Sequence, residues 1–265
     1  MPEAGPFSVR PAHEGASVRT GPAPLPALAP LGWLAAGWQD FHHTGYRAAF
    51  YGLVFASMGW AIGFVYETQW QLTMGLTAGF FLLGPFVCAG IHELSRQRER
   101  GERPDLLRSL SCWRRAPGSI GFFAAMLTLL MIVWARVSVV LFALSSTTEF
   151  PTMRGMLAQI ASASNFEFLA LWGAVGFVFA SLVFAISIVS MPMMLDRGAD
   201  TMVAVFTSAR GLAANPAAAY VWAASIVVLI GASLVFWLGL LVVTAPLVGH
   251  ATWHAYRALV APASG

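Results

Sequence analysis

Five long runs of apolar residues dominate the hydrophobic pattern of the chain. They cover residues 46–66, 72–91, 119–144, 168–195 and 217–249. A helix of about 20 residues crosses the hydrocarbon core of a bilayer, so each of the first four runs predicts one membrane span. The fifth run is too long for one ordinary span and short for two. It forms either one long tilted helix or a tight hairpin.

A short amphipathic segment stands before three of these runs. In each segment the apolar residues recur at roughly i, i+3, i+4 and i+7, which places them on one face of a helix. The segments are Leu31-Leu34-Ala35-Trp38, Leu106-Leu107-Leu110-Trp113 and Met202-Val205-Phe206-Ala209. The second follows Pro104-Asp105 and the third begins at Asp200-Thr201, and both are typical helix starts.

Each amphipathic segment opens a unit that closes with a proline and then polar residues. The closing prolines are Pro85, before His92 and Glu93; Pro192, before Asp196 and Arg197; and Pro246, before His250 and His254. A third true copy of the unit requires a hairpin that turns near residues 231–233. We therefore predict an all-α fold, a polytopic membrane helical bundle of six spans, built as three related helix pairs with amphipathic elbow helices. Five spans are the alternative.

The composition agrees with a chain that lies mostly in lipid. Hydrophobic residues make up 58% of it, charged residues 10%, and the mean hydropathy is +0.70. A soluble domain has about 25% charged residues. Residues 1–30 are rich in Pro, Ala and Gly, so we predict a disordered cytoplasmic tail there, followed by a single membrane-embedded domain over residues 31–265.

Basic residues predict the orientation of the chain. One linker holds seven of its 15 basic residues: Arg96, Arg98, Arg100, Arg103, Arg108, Arg114 and Arg115. Basic side chains near span ends resist translocation, so this linker is predicted to be cytoplasmic. Six spans then place both termini in the cytoplasm. The net charge of +3 is concentrated on one side of the membrane, which favours anionic lipid over nucleic acid as a partner.

Histidines are the candidate metal ligands. His250 and His254 stand at i and i+4, so a continuous helix places both on one face. His92 is predicted at a matching depth, and His42 and His43 at the same interface. Imidazoles so placed can bind a transition metal or haem iron, with haem or copper as the candidate cofactor. The alternative is that they anchor helix ends through hydrogen bonds.

The prolines and one arginine are candidate mechanical or pairing residues. Pro85, Pro192 and Pro246 each remove one helical hydrogen bond and free a carbonyl four residues earlier. Such sites act as hinges or ion ligands in transporters, or neighbouring helices absorb the kink. Arg136 is the one charge well inside an apolar run. It either snorkels to the outer interface or pairs with an acidic residue, the candidates being Glu67, Glu149 and Glu167.

Three motifs carry a resemblance to a known family. They are Gly37-Trp38-Gln39-Asp40, then Gly84-Pro85-Phe86 through His92-Glu93-Leu94-Ser95-Arg96 with Gly101-Glu102, and Gly249-His250-Ala251-Thr252-Trp253-His254-Ala255-Tyr256-Arg257. From about Pro30 to its C-terminus the chain resembles a bacterial family of predicted integral membrane proteins, domain of unknown function 2189. Some members carry a cytochrome c oxidase subunit label. The resemblance implies a multi-pass inner-membrane protein with a link to respiration.

The chemistry of the chain favours an accessory role over a catalytic one. A catalytic oxidase subunit needs several histidines deep in the bilayer, whereas these histidines are predicted at an interface. The sequence also lacks a Gly-x-Ser-x-Gly motif and a phosphate-binding loop. We expect a non-enzymatic membrane scaffold that associates with other membrane protein subunits. The alternatives are a transporter or channel for a small solute or metal, and a protein that handles metal or haem.

Overall fold

A computed structural model describes residues 25–68, 70–145 and 166–260 of the chain. Most of the predicted tail, residues 1–24, lies outside these ranges. Within the tail's described end, the backbone N–H of Leu25 donates to the side chain of Asn215 at 2.7 Å. Every long element of the described ranges is a helix, which confirms the all-α prediction.

The helices follow one order three times: a short elbow, then two long helices. The first unit is α1 (Ala29–Thr44), α2 (Tyr46–Thr68) and α3 (Trp70–Glu99). The second is α4 (Leu106–Leu110) with a 3-10 turn (Cys112–Arg115), α5 (Pro117–Ser145), and α6 (Phe166–Ser187) continued by α7 (Ser190–Arg197). The third is α8 (Thr201–Ala214), α9 (Pro216–Phe236) and α10 (Leu241–Leu259). Both predicted elbow starts are confirmed, with Asp105 and Asp200 as N-caps.

The fifth apolar run is a hairpin, but its turn is not where the sequence predicts it. The chain reverses at Trp237–Leu240, between α9 and α10, rather than at residues 231–233. Ser233 instead lies buried in α9, and its hydroxyl hydrogen-bonds the Thr244 hydroxyl on α10 at 2.7 Å. Ser233 therefore marks a contact between α9 and α10, which a small side chain permits as readily as it permits a turn, whereas nothing lies within 4 Å of a Cβ added at Gly231.

Five stretches in the described part of the chain are long and apolar enough to cross a membrane. They are Tyr46–Val65, Pro117–Leu141, Ala170–Arg197, Pro216–Phe236 and Leu238–Leu259. The α3 helix has 30 residues and a length of about 45 Å at 1.5 Å per residue. It contains the apolar run 72–91, which would be the sixth span, so six spans remain our prediction. The multi-pass helical bundle is established.

Helix α10 forms the centre of the bundle, where α1, α2 and α3 pack around it. Glycines permit the closest approaches. A Cβ added at Gly37 would lie 2.7 Å from the backbone nitrogen of Ala251, and one at Gly249 would lie 2.9 Å from the side chain of Ile91. At Gly52 a Cβ would meet the Val242 backbone, 2.6 Å from its Cα. Backbone-to-backbone packing of this kind fixes α1 and α2 against α10.

Gly52→Ala should therefore destabilise the bundle, because α2 must move away from the α10 backbone. We expect a loss of about 1–3 kcal/mol, as for other overpacked sites. Gly63→Ala on the same helix is the matched control, since nothing lies within 4 Å of a Cβ there. Unfolding in mixed micelles with rising dodecyl sulfate measures both. Equal stability of the two variants would contradict the close approach of α2 and α10.

The elbows expose many of their large apolar side chains and bury small or polar ones, although Trp33, Val205 and Leu212 are also buried. In α1 the buried residues include Gly37, Asp40 and Thr44, while Leu31 and Trp38 are exposed. The other elbows repeat this inversion, with Leu107, Leu110, Trp113, Met202, Val203 and Phe206 exposed. An apolar face turned away from the protein matches a helix that lies at the surface of a membrane.

Reporter fusions test the predicted topology. Fusions after Arg98 and at Gly265 should read inside, because the elbows of the three units are predicted on the basic, cytoplasmic side. A fusion after Gly155 should read outside, because one predicted span separates it from the basic linker. Activity of reporters that function only in the cytoplasm or only outside it measures each position. An outside reading at Gly265 would contradict six spans with both termini cytoplasmic.

Candidate functional site: a polar hub at the elbow end of α3

Three clusters of polar side chains surround the last turns of α3 and join the three units of the fold. We call them the polar hub. The Asp40 cluster contains Asp40, Thr44, Ser95, Arg98, His250 and His254. The Glu93 cluster contains Glu93, Arg96, Gln97, Arg108 and Arg115. The Asp196 cluster contains Asp196, Arg197, Tyr256, Arg257, Glu99, Arg100 and Trp253.

The buried carboxylate of Asp40 collects donors from two other helices. Its Oδ2 accepts from the Ser95 hydroxyl at 2.6 Å and contacts His254 Nε2 at 3.0 Å, and its Oδ1 accepts from the Arg98 guanidinium. Burial alone would raise the pKa of Asp40, but the hydrogen bonds from His254 and Ser95 and the nearby imidazoles outweigh it and hold the pKa below its ordinary value of 3.8. Asp40 is therefore an anion that ties α1 to α3 and α10.

Hydrogen-bond direction defines the tautomer of His250. The single proton of the Ser95 hydroxyl goes to Asp40, so Ser95 Oγ accepts from His250 Nδ1–H at 2.7 Å. The other ring nitrogen, Nε2, lies 3.3 Å from the Thr44 hydroxyl. A serine nucleophile needs the opposite arrangement, in which the hydroxyl donates to the imidazole. The order His250–Ser95–Asp40 thus orients side chains rather than activating the serine.

Glu93 is fully buried and is shared by arginines from three elements, α3, α4 and the 3-10 turn. Arg96 contacts its two oxygens at 2.8 and 3.1 Å, and Arg115 does so at 2.8 and 3.0 Å. The Nε atom of Arg108 lies 3.6 Å from Glu93 Oε1, and the Gln97 amide donates to the same oxygen at 3.1 Å. Bidentate pairs of this kind are geometrically specific. They attach the second elbow to α3.

The Asp196 cluster ties α7 to the end of α10. Tyr256 donates to Asp196 Oδ2 at 2.9 Å and accepts from Arg197 Nε at 3.0 Å. Next to it, Arg257 pairs with Glu99 at 2.7 Å, and the Trp253 ring N–H donates to Glu99 at 2.9 Å. Within the Gly249–Arg257 motif, His250, Trp253 and His254 thus contact the first unit, Tyr256 contacts the second, and Arg257 contacts both.

The predicted histidine pair lies on one face of α10, as its spacing indicates, and both rings face Asp40. His92 is buried nearby on α3, and its Nδ1 has no hydrogen-bond partner within the described ranges. His42 and His43 are exposed and line an open depression of about 470 Å³ with Trp38, Gln39 and Arg98. No group of three or more His, Cys, Asp or Glu side chains in residues 25–68, 70–145 and 166–260 is arranged to hold a metal ion. Metal or haem binding by His92, His250 and His254 stays a prediction.

Neighbouring helices contact the chain close to two of the three prolines. Between α6 and α7, just before Pro192, the Ser208 hydroxyl accepts from Val189 N–H at 3.2 Å and donates to the Ala185 carbonyl at 2.7 Å. It replaces the helical hydrogen bond between Val189 and Ala185 and so explains the break, while the carbonyl that Pro192 itself frees is that of Ile188. The Val242 carbonyl, freed by Pro246, lies against Gly52 of α2.

The remaining two candidates lie within long helices. Helix α3 continues through Pro85 without a break. Arg136 is exposed on α5. Of its predicted partners, Glu149 and the Glu67 side chain lie outside what the structure describes, while Glu167 is exposed. A hinge or transport role for the prolines stays a prediction.

Sequence reasoning missed the carboxylates at the centre of the hub. Asp40, Glu93 and Asp196 were not candidates, although each lies in or beside a motif singled out in the sequence. The available signal was a charged residue on the small-residue face of an amphipathic helix, as Asp40 is in α1. A charge in that position is buried only with partners, so it indicates a paired site.

One of the comparisons with known proteins agrees with a membrane-embedded chain. No curated protein and no solved structure shows a significant similarity to the chain. One family model matches, and it covers the end of the first unit and nearly all of the long helices of the second. The match confirms the resemblance seen in the sequence: residues 72–196 are similar to the family of predicted integral membrane proteins described as domain of unknown function 2189.

Proposed function

We propose that this protein is a non-enzymatic scaffold of the bacterial inner membrane. It acts as an accessory or assembly protein that associates with other subunits of a larger complex, first of all a respiratory oxidase. The observation that carries the proposal is the position of α5. The most apolar 18-residue window of this helix has 0% of its residues buried inside the protein, against 44% for α10. A long span with so little cover of its own is available to a partner.

The exposed surface of α5 carries a charged residue, Arg136, which favours a protein partner over lipid alone at this surface. Leu129, Val133, Arg136 and Val140 are spaced by four, three and four residues, so they form one exposed stripe along α5. Arg136 lies about 28 Å along the helix from Pro117, at 1.5 Å per residue. A guanidinium at the edge of the hydrocarbon core is stabilised by an acidic partner side chain. A neighbouring subunit with a carboxylate at this depth would complete the surface.

The polar hub supports a structural role as well. Its carboxylates are occupied by arginine, histidine, serine and tyrosine donors, and Ser95 is 1% exposed. Satisfied, buried polar groups of this kind fix the relative positions of helices. They hold α5 and α6 at a defined place on the bundle, as a scaffold requires.

Purification in mild detergent with quantitative mass spectrometry tests the proposal. The wild-type chain should co-purify with subunits of one membrane complex, and Val140→Trp should deplete those subunits because it obstructs the α5 stripe. Val228→Trp on α9 is the matched control, since Val228 is also a highly exposed valine of a long apolar helix. Recovery of the wild-type protein alone, or equal loss from both variants, would overturn the proposal.

A further inference from the structure

We propose that the second elbow, residues 103–115, binds the headgroup of an anionic phospholipid. The phosphodiester would be held by Arg108, Arg114 and Arg115, and the acyl chains would lie against the exposed apolar residues of the same elbow. This site is independent of the α5 stripe, so the failure of either proposal leaves the other standing.

The elbow is built with its apolar face turned away from the protein. Asp105 caps α4 by accepting from the backbone N–H of Leu107 at 2.9 Å. Small residues face inward: Ser109 is buried and hydrogen-bonds the Tyr51 hydroxyl of α2 at 2.7 Å, and Cys112 is buried next to it. The outward residues are Leu107, Leu110 and Trp113, at intervals of three. All three side chains are exposed, Leu107 to 77%.

The second elbow carries more positive than negative charge. Three arginines contact the one carboxylate of Glu93, and the two from the elbow, Arg108 and Arg115, have side chains 44% and 32% exposed. Each guanidinium has five N–H donors, and Arg115 uses two of them on Glu93. The buried carboxylate of Glu93 thus positions two guanidinium groups that stay partly exposed. Such pre-positioned guanidinium groups match the oxygens of a phosphate.

Arg114 connects the charged and apolar parts of the elbow. Its guanidinium lies over the Trp113 ring, 5.6 Å from the centroid. Glu102 pairs with Arg108, and Asp105 caps α4. Among the described residues, no carboxylate lies within ion-pair distance of Arg114, so its charge is available to a ligand.

The position of the elbow selects a lipid over other anions. The apolar helix α5 begins at Pro117, directly after the 3-10 turn that ends at Arg115. Arg114 and Arg115 therefore enter the bilayer at the level of the headgroups, where the phosphates of anionic lipids are concentrated. A soluble phosphate would use the arginines but leave the apolar stripe uncovered. An anionic phospholipid satisfies both.

Native mass spectrometry of the full chain in detergent tests the site. The probes are phosphatidylglycerol and phosphatidylcholine with identical acyl chains. The wild type should bind phosphatidylglycerol more tightly, and Arg108→Gln with Arg114→Gln should weaken that binding about 25-fold, at about fivefold for each arginine. Binding of phosphatidylcholine should not change. Trp113→Ala should weaken the binding of long-chain more than of short-chain phosphatidylglycerol.

Arg210→Gln is the matched control, because Arg210 is an exposed arginine on the elbow α8 of the third unit. It should leave phosphatidylglycerol binding unchanged, and Arg108→Lys with Arg114→Lys should retain most of it. If the double variant does not fold, Arg114→Gln alone should still give the fivefold loss. Equal wild-type binding of both lipids, an equal loss in Arg210→Gln, or displacement of phosphatidylglycerol by inorganic phosphate at equal concentration would overturn the proposal.

Discussion

Glu93→Gln should lower the free energy of unfolding by about 3–5 kcal/mol, the usual cost of removing one partner from a buried ion pair. Glutamine keeps the size of the side chain but removes its negative charge. The Arg96 side chain, 5% exposed, then keeps its charge in the interior without the carboxylate that both of its donors contact. Arg115 also loses its bidentate partner, so the second elbow should detach from α3.

Unfolding in mixed micelles measures this loss, with Glu99→Gln as the matched control. Glu99 lies two turns further along α3, bonds Arg257 and Trp253, and has a side chain 40% exposed. Water can replace its partners, so we expect a loss below about 1 kcal/mol. Similar losses in the two variants would show that burial of Glu93 does not determine the stability of the hub.

The long helices were predictable because the residues of each helix by themselves contain the pattern that predicts it. An apolar run of sufficient length predicts a span wherever it stands, and Asp105 and Asp200 mark the elbow starts through contacts with their own helices. The three-fold order of units followed from comparing these local patterns. The hairpin of α9 and α10 was inferred from that order, since the run 217–249 is apolar throughout.

The turn of that hairpin was placed wrongly for a physical reason. Gly231 and Ser233 together indicate a turn, but small residues inside a membrane bundle also permit helix contact, and Ser233 bonds Thr244 in this way. The actual turn contains Gly239, where a Cβ would lie 2.8 Å or less from atoms of the Trp237 ring. A glycine beside a large aromatic residue was the available signal, and the small-residue pattern outweighed it.

The polar hub was only half predictable. The spacing of His250 and His254 places them on one face of a helix, and the structure confirms this. Their shared partner, Asp40, is 214 residues from His254 in the sequence, and no local pattern can pair residues so far apart. The same holds for Tyr256 and Asp196, which are 60 residues apart. A charged residue in an apolar chain predicts that the residue has a polar or oppositely charged partner. Only the fold determines which residue that partner is.

Asp40→Asn should cost about 2 kcal/mol at neutral pH, because the Arg98 guanidinium and His254 then face an uncharged amide. The cost should depend on pH. The pKa of Asp40 lies below 3.8 in the folded protein, whereas the unfolded chain binds this proton near 3.8. The stabilisation by the carboxylate is therefore complete well above pH 3.8 and is lost as the pH falls through the lower, folded-state pKa.

The difference in unfolding free energy between the wild type and Asp40→Asn should accordingly shrink once the pH falls below 3.8. Asp200→Asn is the matched control: Asp200 caps α8 by accepting from Met202 N–H at 2.8 Å, and asparagine caps a helix equally well. This control should differ little from the wild type at neutral pH. Thermal unfolding in detergent across the acid range measures all three proteins. A wild-type advantage over Asp40→Asn that stays constant far below pH 3.8 would mean that hydrogen-bond geometry, and not the charge of Asp40, joins α1 to α3 and α10.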